Sequence, residues 1–157
     1  DRASQLASAQ VVSTFYVPWS VALAAHSANA ASNTLKFAVN FNKSQASINE
    51  EVTCKVEAGG RNYGGMLLAE IGLPPGADVD RASLELAVKN SDWSLSRYDV
   101  LPDRLIVYLW PRPNGTKFEF KFRPRFGLTA QTAPSLLYDY YNPEARIVVA
   151  PTKFVVK

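Results

Sequence analysis

The chain has 157 residues, of which 47% are hydrophobic and 20% charged, and its formal net charge at pH 7 is +3. This length suits one hydrophobic core, and the composition excludes an intrinsically disordered chain. Glu119 lies among Lys117, Lys121 and Arg123, and this mixed, mild charge argues against nucleic-acid binding. No apolar run approaches the roughly 20 residues that span a bilayer.

The first 30 residues differ from the rest of the chain. Residues 10–21, QVVSTFYVPWSV, predict one strand, and the small polar stretch HSANAASN after it is typical of a linker. We expect the strand to pair with a sheet edge or with another copy of the chain. We therefore predict that residues 1–30 are the end of a preceding domain plus a linker, and that residues 31–157 form the main domain.

From Leu35 onward the pattern predicts strands separated by turns. LKFAVNF alternates apolar and polar residues, and EVTCKVEA places the single cysteine, Cys54, among inward-facing valines. A small buried core residue is therefore favoured over a reactive thiol at Cys54. GGRNYGG predicts a turn or loop, and the continuously apolar GMLLAEIGL predicts a central strand.

One helix is predicted within DVDRASLELAVKN, with Asp78 or Asp80 as its N-cap. Helical spacing puts its charged residues on one narrow stripe and apolar residues around most of the remaining circumference, which predicts a largely buried helix. The stripe consists of Arg81, Glu85 and Lys89.

After the helix, RLIVYLW and KFEFKFR flank the turn sequence PRPNGT, which predicts a β-hairpin. SLLYDYYN and ARIVVAPTKFVV add further strands. Many short strands with one inserted helix predict a mainly β fold, an antiparallel β-sandwich. In the second hairpin strand the residues expected to face inward are Phe118, Phe120 and Phe122.

No residue pattern predicts catalysis, a metal or a cofactor. The single histidine, His26, lies in the predicted linker, away from any scaffold that could hold a catalytic base. One histidine and one cysteine do not make a zinc site. Asp99 and Asp103 lie in a predicted connection without the spacing of a calcium-binding loop. We therefore predict that the chain is not an enzyme.

Several segments together carry a family resemblance. SRYDVLPDRLIVYL, the strands after it and LLYDYYN resemble the C-terminal receptor-binding domain of the alpha-2-macroglobulin and complement thioester proteins. The resemblance runs in order from LKFAVNFN through GMLLAEIGLPPG and the helix, over about residues 35–157. QVVSTFYVPW is similar to the closing strand of the CUB domain that precedes this module in those proteins.

The resemblance implies a non-catalytic β-sandwich within a large secreted or periplasmic protein that traps proteases or acts in defence. It implies that the domain packs on the thioester domain and other macroglobulin domains of its parent chain, shields the thioester from water and moves on activation. Proteases would be partners through the parent. The absence of disulfides points to a bacterial homologue.

The resemblance also implies residues that cover the thioester. Relatives use a methionine at the start of the central strand and two tyrosines, and the matching positions here are Met66, Tyr98 and either Tyr140 or Tyr141. A flexible thioether beside aromatic rings suits a cover that excludes water without offering a nucleophile. The alternative is that these side chains pack in the core or cover an edge.

A second implied site is the receptor-binding helix face. Relatives that bind an endocytic receptor use two lysines one turn apart, and these positions fall near Arg81 and Glu85, so one charge is reversed. Glu85 and Lys89 are expected instead to form an i,i+4 surface pair. The sequence thus gives no support to receptor clearance, although Arg81, Glu85 and Lys89 remain the candidate positions.

Two other functions remain open. A free-standing adhesive or carbohydrate-binding β-sandwich could use Trp19, Trp93 and Trp110 to stack on sugars. An accessory domain of a hydrolase is the third possibility.

Overall fold

The computed structural model describes residues 10–14, 16–19, 21, 35–60 and 65–157. Within these ranges the chain forms twelve strands and the ten-residue helix α1, and Trp19 and Val21 also have helical backbone. In chain order the elements are β1 (Leu35–Phe41), β2 (Gln45–Ala46), β3 (Val52–Gly60), β4 (Leu67–Gly72), β5 (Ala77–Val79), α1 (Arg81–Asn90), β6 (Leu95–Val100), β7 (Arg104–Leu109), β8 (Thr116–Pro124), β9 (Leu128–Gln131), β10 (Ser135–Asp139), β11 (Arg146–Val149) and β12 (Lys153–Val156).

The strands form three sheets. A four-stranded sheet has the order β1-β3-β8-β5, a five-stranded sheet has the order β11-β10-β4-β7-β6, and a small sheet has the order β2-β12-β9. All neighbours in the two larger sheets are antiparallel, whereas β2 and β12 are parallel. The predicted mainly β, antiparallel sandwich is confirmed.

The core lies between the two larger sheets, because alternate residues of each strand point to the same side. Phe120 of β8 lies opposite Cys54 of β3, and Val107 of β7 lies opposite Ala69 of β4. All four are at most 1% exposed and belong to one cluster of buried side chains. Of the three phenylalanines predicted to face inward, Phe120 and Phe122 belong to this cluster, and the partly buried Phe118 packs against it.

Cys54 is the small core residue that the sequence predicts. Its side chain is fully buried. Burial raises the pKa of the Cys54 thiol far above its usual range, because a thiolate would lose its hydration there. The buried thiol is therefore inert at neutral pH.

Helix α1 begins after Asp80, whose Oδ1 accepts a hydrogen bond from the Ala82 N–H at 3.0 Å; Asp80, not Asp78, is thus the N-cap. The helix packs against β8 of the four-stranded sheet and against β6, the edge strand of the five-stranded sheet. Leu84 reaches the core, but Leu86 is 57% exposed. The predicted largely buried helix is therefore wrong, because α1 packs on β8 and β6 with only one of its sides and leaves the others exposed.

The predicted hairpin is also wrong. The turn itself exists, since the Gly115 N–H donates to the Arg112 carbonyl at 2.9 Å and Gly115 has φ +75°. However, β7 pairs with β4 and β6, whereas β8 pairs with β3 and β5. The Asn-Gly turn therefore carries the chain from one sheet to the other, and the strands it joins face each other across the core.

The predicted strand over residues 10–21 is not present in the part of it that the structure describes. Residues 10–14 and 16–18 lie in no strand, and residues 10–14 are exposed. Each strand of the three sheets begins at Leu35 or later, so the described part of this segment has no pairing partner. The predicted linker, residues 26–33, and residues 61–64 of the predicted glycine turn lie outside the described residues.

Candidate functional site

The outer face of the five-stranded sheet carries the candidate site. In its middle row, Leu68 of β4 lies between Tyr108 of β7 and Tyr138 of β10. Leu68 is only 6% exposed although it points away from the core, because tyrosines flank it on both sides. Met66 and Tyr140 follow at one end of the same two strands. We name this surface, made of Met66, Leu68, Tyr108, Tyr138 and Tyr140, the tyrosine face.

Met66 and Tyr140 are brought together by the pairing of β4 with β10. Leu67 and Asp139 form the last paired row, and the next residues, Met66 and Tyr140, are joined by a backbone hydrogen bond of 2.9 Å from the Tyr140 N–H to the Met66 carbonyl. Met66 is half-buried and Tyr140 is 46% exposed. The register thus places Tyr140, of the two candidate tyrosines, opposite Met66.

Tyr141 lies beside this pair and is more exposed, at 76%. Its ring meets the Tyr140 ring edge to face, with centroids 5.1 Å apart. Its N–H donates to Asp139 Oδ1 at 2.8 Å, which bends the chain away from the strand. The structure therefore groups Met66, Tyr140 and Tyr141 at one end of the sheet.

Tyr138 is held by a half-buried ionic network that the sequence does not reveal. Its hydroxyl donates to Glu70 Oε1 at 3.0 Å, and Arg104 Nη1 donates to Glu70 Oε2 at 2.7 Å. The Glu70 side chain is 17% exposed. Burial and the neighbouring Glu70 carboxylate raise the pKa of Tyr138 to about 12. This network fixes the Tyr138 ring on the outer face.

Tyr108 is held by a second ion pair. Arg97 Nη2 donates to Asp99 Oδ2 at 2.8 Å, and the Arg97 guanidinium lies 5.0 Å from the centre of the Tyr108 ring. Burial, and then the neighbouring Asp99 carboxylate, raise the pKa of Tyr108, whereas the Arg97 guanidinium lowers the pKa of Asp99.

The two aspartates expected in a connection occupy different places. Asp99 is part of β6, and Asp103 lies in the turn before β7. Each pairs with an arginine, Asp103 with Arg104 at 2.8 Å, so each carboxylate already has a cationic partner. Among the residues described, no group of three or more His, Cys, Asp and Glu side chains is placed to hold a metal.

Tyr98 does not join Met66 and Tyr140. It lies opposite Val107 in the sheet, and Val107 points into the core. Tyr98 is half-buried and packs against the core cluster, where it lines a groove with Val88 of α1. A register shift in β6 between Leu95 and Arg97 sets this orientation. Tyr98 therefore lies on the helix side of the sheet, opposite the tyrosine face.

The helix stripe of Arg81, Glu85 and Lys89 is exposed, as its spacing predicts. Glu85 and Lys89 both lie in the described helix, yet no ion pair within 4 Å joins them. The expected i,i+4 pair is thus absent.

Sequence reasoning missed Glu70, Tyr108 and Tyr138. The alternation in LLYDYY was the available signal, because Tyr138 and Tyr140 are two residues apart and must share a face. The Glu70 partners come from β7 and β10, and no local pattern shows this pairing.

None of the described helices is long and apolar enough to cross a membrane.

Solved structures of bacterial macroglobulins share the fold. Native alpha-2-macroglobulin from Escherichia coli, from domain MG7 to the C-terminus, matches with a TM-score of 0.68 and 13% identity over 80% of this chain and 24% of that one. Escherichia coli alpha-2-macroglobulin activated by porcine elastase matches with a TM-score of 0.67 and 13% identity over 81% and 13% of the two chains. Salmonella alpha-2-macroglobulin reacted with methylamine matches with a TM-score of 0.66 and 16% identity over 81% and 9%.

This chain therefore spans between 9% and 24% of the length of these matched chains. The sequence also matches the family described as the A-macroglobulin receptor binding domain over residues 62–150, which is more than half of the chain. That range contains the tyrosine face, α1 and both tryptophans after the helix. This chain belongs to the A-macroglobulin receptor binding domain family.

Proposed function

We propose that this chain is the non-catalytic C-terminal domain of an alpha-2-macroglobulin-like thioester protein. In this role it packs on the thioester domain of its parent, shields the thioester from water and moves away when a protease activates the parent. The biological outcome is protease entrapment or defence. Family membership and the small share of the matched proteins that this chain spans support a role within a larger molecule.

The tyrosine face is the observation that carries the proposal. Interfaces between domains are enriched in Tyr, Trp, Met and Arg and depleted in Lys, Glu and Asp at their centres. On this face the carboxylate of Glu70 binds Arg104 and Tyr138, so the face offers to a partner its rings, its aliphatic groups and the Arg97 guanidinium that lies over Tyr108. Such a surface suits a contact that must exclude water.

Within this face, Met66 and Tyr140 are the proposed cover of the thioester. A half-buried thioether and a neighbouring ring can fill an irregular gap above a reactive bond without presenting a strong nucleophile. Tyr141 would contribute at the margin of the contact. A role for Tyr98 remains a prediction, and its orientation means that it would act from the helix side or by supporting the sheet.

The test uses the intact parent protein and the rate at which methylamine inactivates it. Met66→Ala and Tyr140→Ala are expected to raise this rate by about tenfold each, because truncating a central interface side chain costs about 1–2 kcal/mol. Tyr141→Ala, whose ring is more exposed, is the matched control and should change the rate less. Unchanged rates in both Met66→Ala and Tyr140→Ala contradict the proposal.

The domain boundary is part of the same proposal. Residues 1–30 would be the end of a CUB-like domain plus a linker, and residues 31–157 the receptor-binding domain. Brief elastase digestion of the chain should leave a stable fragment that begins near residue 31, because elastase cleaves after small residues such as the alanines of the predicted linker. Protection of residues 10–21 to the same degree as the sandwich would place them in this domain instead.

The location of the parent protein follows from the proposed role. A protein that meets proteases acts outside the cytoplasm, so we place the parent in the periplasm or the extracellular medium. Fractionation of the cells that make it tests this location. A receptor site on the helix stripe receives no support, since Glu85 stands where a cation would be needed.

A further inference from the structure

Two exposed tryptophans line a groove at one end of the five-stranded sheet. Trp93 is 89% exposed and Trp110 is 48% exposed. The groove runs between the end of α1 and the strands β6 and β7, and its apolar lining includes Val88 and Leu95. Large apolar side chains are exposed singly on most proteins, but two indoles on one groove mark a contact surface.

The backbone holds Trp93 outside at a conformational cost. Asp92 and Trp93 are consecutive residues with φ of +49° and +68°, in the left-handed region that residues with a Cβ rarely adopt. Arg112 fixes this turn, because its guanidinium donates to both the carbonyl oxygen and the carboxylate of Asp92, the latter at 2.8 Å. Strain of this kind persists only where the surrounding contacts impose it.

The groove is continuous with the tyrosine face. Leu109 of β7 pairs with Leu67 of β4 at the last row of the sheet. Trp110 follows Leu109 and Met66 precedes Leu67, so the two residues leave the same end of neighbouring strands. Tyr140 is hydrogen-bonded to Met66 on the other side. Strand order therefore places the groove, Met66 and Tyr140 side by side along one end of the sheet.

We propose that Trp93 and Trp110 are a second anchor of the docking surface that holds this domain on the thioester-bearing domain of its parent chain. This inference rests on the proposed function, and it assigns a separate task to separate residues. Met66 and Tyr140 exclude water at the bond, whereas the two indoles keep the domain docked until activation. The occupant of the groove is thus a protein surface of the same chain.

Two observations favour this occupant. Binding energy at protein interfaces concentrates in a few clustered residues, with Trp, Tyr and Arg the commonest, and this end of the sheet presents Trp93, Trp110 and Tyr140 together. The carboxylate of Asp92 at the groove pairs with Arg112 at 2.8 Å, so the pair carries no net charge although the Asp92 side chain is 79% exposed. A groove of this kind fits a largely apolar protein protrusion.

The experiment compares oxidative footprints of the intact parent before and after protease cleavage, with oxidation of Trp93 and Met66 read by mass spectrometry in the same sample. Both side chains should be protected in the native protein and oxidise about tenfold faster after cleavage, when docking is lost. Phe126, which is 51% exposed and lies outside the groove, is the internal control and should not change.

This experiment distinguishes the second anchor formed by the tryptophans from the thioester cover formed by Met66 and Tyr140. Protection of Met66 without protection of Trp93 overturns the second anchor and leaves the thioester cover standing. Equal oxidation of both residues before and after cleavage removes the proposed docking itself. Protection of both residues supports both claims.

Variants give a second readout. The double substitution of Trp93→Ala and Trp110→Ala should raise the methylamine inactivation rate about tenfold. Leu86→Ala, at an exposed apolar position of α1 outside the groove, should leave it within twofold of wild type. A wild-type rate in the double variant, alongside a faster rate in Met66→Ala, overturns the inference. Binding of a neutral oligosaccharide that Trp93→Ala abolishes would assign the groove to sugar and overturn it too.

Discussion

The outer faces of the two large sheets follow the same alternation but carry different side chains. On the four-stranded sheet, charges alternate with the inward-facing residues and pair across strands. Glu57 meets Lys117 at 2.9 Å, and Glu51 meets Lys121 at 2.7 Å and Arg123 at 3.2 Å. These side chains are well exposed, so water and salt can solvate each of them. We name this surface the charged face.

On the tyrosine face of the five-stranded sheet, the ionic groups have different surroundings. Glu70 is enclosed by Arg104 and Tyr138, and Arg97 lies over the ring of Tyr108. Ionic groups here position aromatic rings, whereas on the charged face they meet the solvent. Period-2 alternation therefore determines which residues form the core, but the chemistry of the alternate residues shows which face is suited to a partner.

The first prediction concerns the core that both faces share. Phe120→Ala should lower the free energy of unfolding by about 3–5 kcal/mol, because the side chain is fully buried between the sheets and its removal leaves a cavity. Phe126→Ala is the matched control, with a ring that is 51% exposed, and should cost less than about 1 kcal/mol. Urea unfolding followed by fluorescence measures both. Equal losses would mean that Phe120 is not part of the core.

The second prediction compares one residue type on the two faces. Glu70→Ala should cost about 1–3 kcal/mol, because it leaves the half-buried Tyr138 hydroxyl without its acceptor and Arg104 with Asp103 alone. Glu57→Ala on the charged face should cost no more than about 0.5 kcal/mol, since its pair with Lys117 is exposed. Chemical denaturation of the two variants gives the difference directly. Similar costs would contradict the distinction between the faces.

Local pattern predicted the parts of the fold that depend on neighbours in sequence. The alternation of KFEFKF predicted the inward side of β8, and the segment before α1 supplied the N-cap Asp80. The hairpin prediction failed because β7 and β8 belong to different sheets, and each of these sheets points apolar residues into the shared core. An Asn-Gly turn between two such strands looks the same whether they pair or cross, and only the distant partners β3 and β4 decide it.

Of the tyrosine face, the sequence identified Met66 and Tyr140 but neither Tyr108 and Tyr138 nor the geometry of the site. Met66 and Tyr140 meet because β4 pairs with β10 in one register, and a shift of one residue would have put Tyr141 in that place. Tyr98 faces the core because β6 has a register shift between Leu95 and Arg97. Neither the β4–β10 register nor the register shift in β6 can be read from a single sequence. The resemblance therefore identified candidate residues but did not show which of them lie together.

The third prediction uses the raised pKa of Tyr138 to probe the tyrosine face. The ordinary phenol titrates at 10.0, and burial with Glu70 nearby raises the pKa of Tyr138 to about 12 in the fold. Between these pH values the folded protein keeps a proton that the unfolded chain has lost. The free energy of unfolding should therefore fall as the pH rises from about 10 to about 12, with this contribution intact below pH 10.

Tyr138→Phe isolates this contribution, because the other titrating groups are common to both proteins. At neutral pH the variant should lose about 1 kcal/mol with the hydrogen bond to Glu70. Its stability should then decline less steeply than that of the wild type above pH 10, as measured by urea unfolding at a series of pH values. Parallel curves for the two proteins would show that the Tyr138 hydroxyl titrates normally.

The smallest effect is expected on the charged face, where a double-mutant cycle on Glu57 and Lys117 should give a coupling free energy of at most about 0.5 kcal/mol. Both side chains are more than half exposed, so salt should screen the pair, and the coupling should vanish near 1 M NaCl. The matched cycle on Glu70 and Arg104 should retain most of its larger coupling at the same salt, because those groups are less exposed. If salt removed both couplings alike, the ions of the tyrosine face would be as open to solvent as those of the charged face, and the argument that this face is built for a partner would lose its electrostatic support.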